Sequence, residues 1–322
     1  MNILVTGSSG FIGYHLCKKL CNLKGCKVIG IDNMNKYYDV KLKKDRLTDL
    51  KKYKNFKFFK VDLKNQTNLD TIFKKNKLNY VVNLAAQAGV RHSIEEPKDY
   101  LDSNINGFFN ILELSKKYKI KHLVFASTSS VYGDSNNFPT KEKDMINRPL
   151  SFYAATKIGN EAMAHSYSHI HKLPCTGLRF FTVYGPFGRP DMALFNFIDR
   201  MYKSKHIYLY NNGDHIRDFT YVDDVVNAIS KIIRKPSQRK NPYEVYNVGC
   251  SKPNSLKSFL QIIEKNTKIK AKIKYLGLQR GDTHKTHASI KKLERVINYK
   301  PKTDIKTGIK KFIDWYNDYF KY

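Results

Sequence analysis

An α/β fold built on a doubly wound parallel sheet, with a smaller C-terminal lobe, is the class this sequence predicts. Three features predict it. Short apolar runs alternate with helical patterns through the first half of the chain. A glycine-rich turn, Val5-Thr6-Gly7-Ser8-Ser9-Gly10-Phe11-Ile12-Gly13, joins the first apolar run to the first helical pattern. After about Val183 the alternation stops at a cluster of glycine and proline, Gly185-Pro186-Phe187-Gly188-Arg189-Pro190.

Ile3–Thr6 reads as the opening strand. Glycines 7, 10 and 13 follow it in G-x-x-G-x-x-G spacing, and a helical pattern, Gly13–Cys21, leaves the turn. Strand, glycine loop and helix is the order a dinucleotide pyrophosphate needs. Glycines let the backbone turn tightly and approach the phosphates, and a helix N-terminus offers free N–H groups and partial positive charge. Phe11 and Ile12 lie inside this cofactor-binding turn. Val28–Ile31 is the next strand and ends at Asp32. A carboxylate there accepts hydrogen bonds from adenosine ribose hydroxyls and repels a 2′-phosphate, which favours NAD over NADP. Asn33 can serve the same ribose.

The alternation continues with strands at Phe56–Lys60, Tyr80–Leu84, Leu123–Ser127 and Thr176–Phe180. Helices are expected at Leu69–Lys74, Tyr100–Tyr118 and Ala154–His169. Ligands in such sheets bind beyond the carboxyl ends of the strands. The division expected is an NAD-binding Rossmann domain over 1–183 and a substrate lobe over 184–322. A segment near 243–249, around Asn247-Val248-Gly249, is expected to return to the main sheet.

Composition narrows the class. The chain has 322 residues, and 41% apolar content with 22 Tyr and 19 Phe supports a packed core. No apolar run approaches the ~20 residues needed to cross a bilayer, and the first strand begins at once. Neither a signal peptide nor a membrane partner is therefore expected, and a cytoplasmic location is. Five cysteines are odd in number and lack zinc-like spacing, so no metal site is expected. Cys17 and Cys21 sit four apart on one helix face and should fill core. The net charge is +30. The lysines are spread along the chain without a basic stripe bearing interleaved aromatics, so nucleic acid is not expected as a partner. Some of the charge can steer an anionic substrate.

Tyr153-Ala154-Ala155-Thr156-Lys157 puts a phenol and an ammonium four apart, on one helix face. A nearby ammonium and a positive nicotinamide stabilise a phenolate, so Tyr153 can act as a base. Upstream, Phe125-Ala126-Ser127-Thr128-Ser129-Ser130 supplies hydroxyls directly after a buried strand. Such hydroxyls can hydrogen-bond an oxygen undergoing oxidation.

Together the glycine turn, Asp32, Asp62-Leu63, Asn83-Leu84-Ala85-Ala86, Thr128 and Tyr153-x-x-x-Lys157 resemble the extended short-chain dehydrogenases/reductases over essentially the whole chain. Within that superfamily the chain resembles the NAD-dependent nucleotide-sugar epimerases, most closely the UDP-glucuronate 4-epimerases. Asn35-Lys36-Tyr37-Tyr38-Asp39, Ala88-Gly89-Val90-Arg91-His92-Ser93 and the run from Phe181 to Asp191 carry that likeness. The resemblance implies Thr128 as catalytic hydroxyl, Tyr153 as base and Lys157 as cofactor-anchoring lysine. Asp62 and Leu63 would flank the adenine. Leu84, Ala85 and Ala86 would line the cofactor, with Asn104 near its nicotinamide half. Arg91 would lie on the substrate side. Arg217 would clamp the diphosphate, and Asp282 would hold the uridine ribose. Arg280 stands where the family usually has proline and receives no role. A homodimer paired through the Tyr100–Tyr118 helix is implied as well.

The family resemblance also sorts the reactions. Related 4,6-dehydratases carry Asp-Glu after the catalytic Thr, and related decarboxylases carry Thr-Ser-Glu. Here Ser129 and Ser130 occupy those positions, which argues against both. Ser129, Ser130 and Thr182 can hydrogen-bond a uronate carboxylate, with Arg189 supplying charge nearby. The reading is 4-epimerisation of UDP-glucuronate, by transient C4 oxidation with bound NAD. The alternatives are a neutral UDP-hexose or UDP-N-acetylhexosamine, UDP-glucuronate decarboxylation, and a catalytically silent nucleic-acid-binding member.

Overall fold

The alternation closes into one seven-stranded parallel sheet. The computed structural model describes residues 1–322. The first half holds β1 (Asn2–Thr6), α1 (Phe11–Cys21), β2 (Lys27–Asp32), α2 (Val40–Leu50), β3 (Phe56–Lys60), α3 (Gln66–Asn76) and β4 (Tyr80–Asn83). Next come α4 (His92–Glu95), α5 (Pro97–Tyr100), a π-helical stretch Leu101–Asn106, α6 (Gly107–Lys117), β5 (His122–Thr128), α7 (Phe152–His171) and β6 (Cys175–Phe180). The remainder is β7 (Thr182–Tyr184), α8 (Ala193–Tyr202), β8 (Ile207–Leu209), β9 (Ile216–Arg217), β10 (Phe219–Tyr221), α9 (Val222–Ile232), β11 (Tyr243–Val248), β12 (Asn254–Ser255), α10 (Leu256–Thr267), β13 (Ile273–Tyr275), α11 (Lys291–Ile297) and α12 (Ile305–Phe320).

The strand order is β11-β6-β5-β4-β1-β2-β3. The winding reverses between β1 and β4, which opens a crevice at their carboxyl ends. Two-faced burial explains the near-continuous apolar strands. Ile3 and Val5 join the core on one face, and Leu4 joins the core on the other. The first of these cores runs without a break into the C-terminal lobe, through Phe195, Ile198, Phe312 and Tyr316. Cys17 and Cys21 both lie in it. β11 pairs with β6 from Tyr243↔Cys175 to Val248↔Phe180. The chain comes back earlier than that strand, because α9 already packs on α1. No helix is long and apolar enough to cross a membrane.

Two elements differ from the sequence reading. Helix α2 was not anticipated: its apolar residues are few among lysines, and its start is fixed by Asp39, whose side chain accepts from the Lys41 N–H at 2.8 Å. The single helix expected over Tyr100–Tyr118 is instead α5, a wide π turn and α6. Such turns place an extra residue in the ladder and re-aim side chains. Asn104 lies buried within this stretch.

Helix α7 is fastened to the sheet by a buried ion pair. Glu161 accepts from Arg179 at 2.9 Å from Nε and 2.7 Å from Nη2, and from the Ser127 hydroxyl at 2.6 Å. Both charged side chains are about 5% exposed. Arg179 also donates to the Tyr132 hydroxyl at 2.8 Å, which donates in turn to Asn247 at 2.6 Å. Arg179→Met leaves Glu161 buried without its cation and should lower the unfolding free energy by about 3–5 kcal/mol. The double variant with Glu161→Met should lose much less. Denaturant melts of both decide it, and a single-variant loss under ~1 kcal/mol would show that the pair does not hold the helix.

Candidate active site

A cleft of about 700 Å³ lies over the carboxyl edge of the sheet and under the C-terminal lobe. Its floor begins at the glycine turn. Gly7 has φ +68°, and a Cβ on it would stand 2.9 Å from the Ala85 nitrogen. A Cβ on Gly13 would stand 2.0 Å from the Gly7 carbonyl oxygen. No larger residue fits either position. Gly10 caps α1 and contributes no side-chain hydrogen bond to the first turn. Across the crevice, the Thr6 hydroxyl donates to Asn83 at 2.7 Å and accepts from the Ala85 N–H at 2.9 Å. The two strand ends at the switch point are thereby tied together.

Asp32 ends β2, and its carboxylate accepts from the Ser9 N–H at 3.1 Å and the Met34 N–H at 2.8 Å. Beside it Asn33 donates to Asp62 at 2.9 Å. The wall above comes from α2, which sequence reasoning missed. Lys43 and Arg46, three apart on one helix face, are both buried. Burial pulls the Lys43 ammonium below its usual range, and the Asp32 charge opposes this. Arg46 donates to the Ser9 carbonyl at 2.9 Å and the Phe187 carbonyl at 2.6 Å, joining the glycine turn to the Gly185–Pro190 loop. A basic i, i+3 pair shortly after Asp32 was the available signal.

At the other end of the cleft, β5 runs into one 3-10 turn, Ser129–Tyr132. Thr128 accepts from the Ser130 N–H and donates to the Ser130 hydroxyl, each at 3.2 Å. Tyr153 and Lys157 stand opposite on α7, whose start is capped by Ser151. Lys157 donates to the Ala126 carbonyl at 3.0 Å. Burial lowers its pKa to about 8, with Glu161 one turn along working the other way. Burial raises the Tyr153 phenol, and Thr128 and the Arg189 charge oppose the rise. Arg189 is thus a further cation acting on the phenol, one that the Tyr153 and Lys157 spacing does not reveal.

Gly7, Gly10, Phe11, Ile12, Gly13, Asp32, Asn33, Asp62, Leu63 and Leu84 to Ala86 all line this one cleft. So do Arg91, Thr128 to Ser130, Tyr153, Lys157, Thr182, Arg189, Arg217 and Asp282. Asn104 is the exception. It is 2% exposed and sits behind the wall. Its side chain accepts from the Gln87 N–H at 2.8 Å and donates at 3.0 Å to the Gln87 carbonyl and to the Thr156 hydroxyl. It holds the loop after β4 against α7 and does not face the cleft. Arg189 forms a bidentate pair with Asp191, which also accepts from the Tyr37 hydroxyl at 3.2 Å. Arg217 donates to Asp282 at 2.8 Å and to the Thr283 carbonyl at 2.7 Å. The sequence could not foresee that both arginines already have carboxylate partners.

Residues 3–249 match the NAD dependent epimerase/dehydratase family. The chain is 50% identical to Protein CapI of Staphylococcus aureus, over 100% of each chain. It is 42% identical to a UDP-glucuronate 4-epimerase of Thermodesulfobacterium geofontis, over 97% of this chain and 95% of the other. Among solved structures, the UDP-glucuronic acid 4-epimerase of Bacillus cereus in complex with UDP-glucuronic acid and NAD superposes with a TM-score of 0.93. That match is 32% identical and covers 99% of this chain and 100% of the other.

The depressed Lys157 pKa sets a testable trade. The unfolded chain binds the lysine proton up to about its ordinary pKa of 10.5, whereas the folded one releases it near 8. Wild-type stability therefore rises with pH across that window. Lys157→Met should be inactive yet more stable than wild type at pH 7 in NAD-free protein, by about 3 kcal/mol. The gap should close as the pH climbs from 8 to 10.5, read by denaturant melts along that series. A pH-independent gap would show that burial of the ammonium is not its source.

Proposed function

The chain belongs to the NAD dependent epimerase/dehydratase family, and from that premise we propose that it interconverts UDP-glucuronate and UDP-galacturonate. One observation carries the reaction. Tyr153, Lys157 and Thr128 line one cleft with Ser129, Ser130 and Thr182, so the two positions after Thr128 carry hydroxyls and no acid, and the nearby carboxylate of Asp191 is taken up by Arg189. The glycine cradle, where a Cβ would collide with backbone, and Asp32 at the tip of β2 fit NAD. Gly7 to Gly13 would hold its pyrophosphate, Asp32 and Asn33 its adenosine ribose, and Lys157 its nicotinamide half. Bound, NAD supplies reversible hydride acceptance.

The chain's own groups do the rest. Tyr153 takes the proton from the C4 hydroxyl of the sugar and later returns it to the C4 oxygen. The Arg189 charge favours the phenolate against the burial that opposes it, and the Lys157 ammonium one turn along the helix would add to this. Thr128 hydrogen-bonds the C4 oxygen and keeps it within reach of the phenol. A 4-keto uronic acid is a β-keto acid and loses carbon dioxide readily. Ser129, Ser130 and Thr182 hold its carboxylate where the bond to be broken stays out of line with the ketone. No acid at position 130 is available to promote the loss. Arg217 and Asp282 serve the nucleotide half, Arg217 exchanging a partner for the diphosphate.

The division into an NAD-binding domain over 1–183 and a substrate lobe over 184–322 belongs to the same proposal. So do a cytoplasmic location, a role in polysaccharide biosynthesis and a homodimer. Leu101 and Phe109, each 45% exposed at the π turn and on α6, support pairing through that region. Hydroxyls would also accept a neutral hydroxymethyl group, which keeps a neutral UDP-hexose as the second reading.

Incubation with UDP-glucuronate, without added NAD, should yield UDP-galacturonate by proton NMR. A UDP-pentose product would overturn the assignment of the serines, and turnover of UDP-glucose alone would favour the neutral reading. Tyr153→Phe should lower kcat by about 10²–10⁴-fold with little change in KM. A variant of near wild-type kcat would remove Tyr153 from the chemistry.

A further inference from the structure

The hydroxyls that face the sugar do not by themselves choose between an acid and an alcohol. Ser and Thr donate and accept equally well, so Ser129, Ser130 and Thr182 suit a carboxylate and a hydroxymethyl alike. Charge has to make the distinction. Of the arginines that line the cleft, Arg189 is held by Asp191 and Arg217 by Asp282, while Arg91 lies over the Tyr210 ring and Arg200 over the Tyr208 ring.

A side pocket of about 110 Å³ shares Ser129, Ser130 and Thr182 with the main cleft. Lys285 also lines it. Lys285 is half-buried, and its Nζ rests 4.7 Å from the centroid of the Phe138 ring, another wall of the same pocket. It makes no salt bridge, whereas the pocket's other cation, Arg217, is neutralised by Asp282 at 2.8 Å. The backbone that presents Lys285 is pinned on both sides. The Ile216 N–H donates to the His284 carbonyl at 3.1 Å, and the Thr286 N–H to the Ile216 carbonyl at 3.0 Å. On the other side the Thr140 N–H donates to the His287 carbonyl at 2.8 Å. Lys285 is therefore a charge without a carboxylate partner on a small cavity that it shares with the three hydroxyls, a cavity too small for the rest of the sugar.

We propose that Lys285 is a specificity-determining residue, the charge that makes the sugar end of the cleft prefer a C6 carboxylate over a neutral C6 group. This rests on the reading of the cleft as a UDP-sugar site. The hydroxyls orient the carboxylate, and the side pocket supplies the field that favours it. A long-range charge of this kind acts on the acid and leaves the neutral sugar alone. It is also weakened by salt, as hydroxyl hydrogen bonds are not.

The test is calorimetric binding of UDP-glucuronate and UDP-glucose to NAD-loaded wild type, Lys285→Met and Lys285→Glu, at low and high sodium chloride. Wild type should prefer the acid, and the preference should shrink with salt. Lys285→Met should lose about tenfold of the preference and its salt dependence. Lys285→Glu should lose more. In both variants the affinity for UDP-glucose should move less than about twofold, which also reports an intact fold. Parallel loss for both sugars, or an unchanged ratio, overturns the proposal. Should wild type bind the acid yet not epimerise it, the proposed reaction falls while the affinity ratio still decides Lys285. A wild type that binds neither sugar overturns both.

Discussion

The buried pair between Glu161 on α7 and Arg179 on β6 is the constraint on which the site depends. Tyr153 and Lys157 lie two turns and one turn before Glu161 on the same helix, so anchoring Glu161 fixes how that face meets the sheet. The carboxylate also takes the Ser127 hydroxyl, one residue before Thr128. One interaction thus sets the helix bearing the phenol and the strand end bearing the hydroxyls against each other. A buried ion pair need not add net stability over an apolar pair of the same shape. What this one contributes is geometry, because its lone pairs and N–H groups accept a single arrangement.

The same logic organises the cofactor side. Thr6, Asn83 and Ala85 tie the ends of β1 and β4 across the switch point. Gly7 and Gly13 let the backbone close there without side chains in the way. Asn104, within the π turn, links the loop after β4 to α7 through Gln87 and Thr156. Arg46 reaches from α2 to the Ser9 and Phe187 carbonyls and joins the glycine turn to the lobe that roofs the cleft. The cleft wall around the glycine turn and helix α7 are therefore one connected body. The continuous apolar core from the sheet into α8 and α12 extends that body to the roof.

Electrostatics inside the cleft differ from what the overall +30 charge suggests. Two of the arginines lining it have carboxylate partners, Arg189 in Asp191 and Arg217 in Asp282. Burial works against the charged form of both Tyr153 and Lys157. Burial thus opposes the phenolate of Tyr153, and the Arg189 charge offsets part of that opposition.

The sequence by itself determined the fold class, the glycine turn, Asp32 and the pairing of Tyr153 with Lys157. Each is written in local spacing: short continuous apolar runs and period-3.6 apolar patterns, glycine where a Cβ cannot fit, and an i, i+4 pair that any helix brings to one face. Only the tertiary structure decided the rest. Helix α2 was hidden because its apolar stripe is thin among lysines, and it needs the sheet and the roof loop to bury Lys43 and Arg46. Asn104 turned from a cleft residue into a brace: it lies buried in a π turn, invisible in apolar periodicity, and bonds to Gln87. The partners of Arg189 and Arg217, and the lack of a carboxylate partner at Lys285, were set by chain crossings far apart in sequence. Local spacing encodes which face a side chain takes, but a charge's partner is fixed only when distant segments meet.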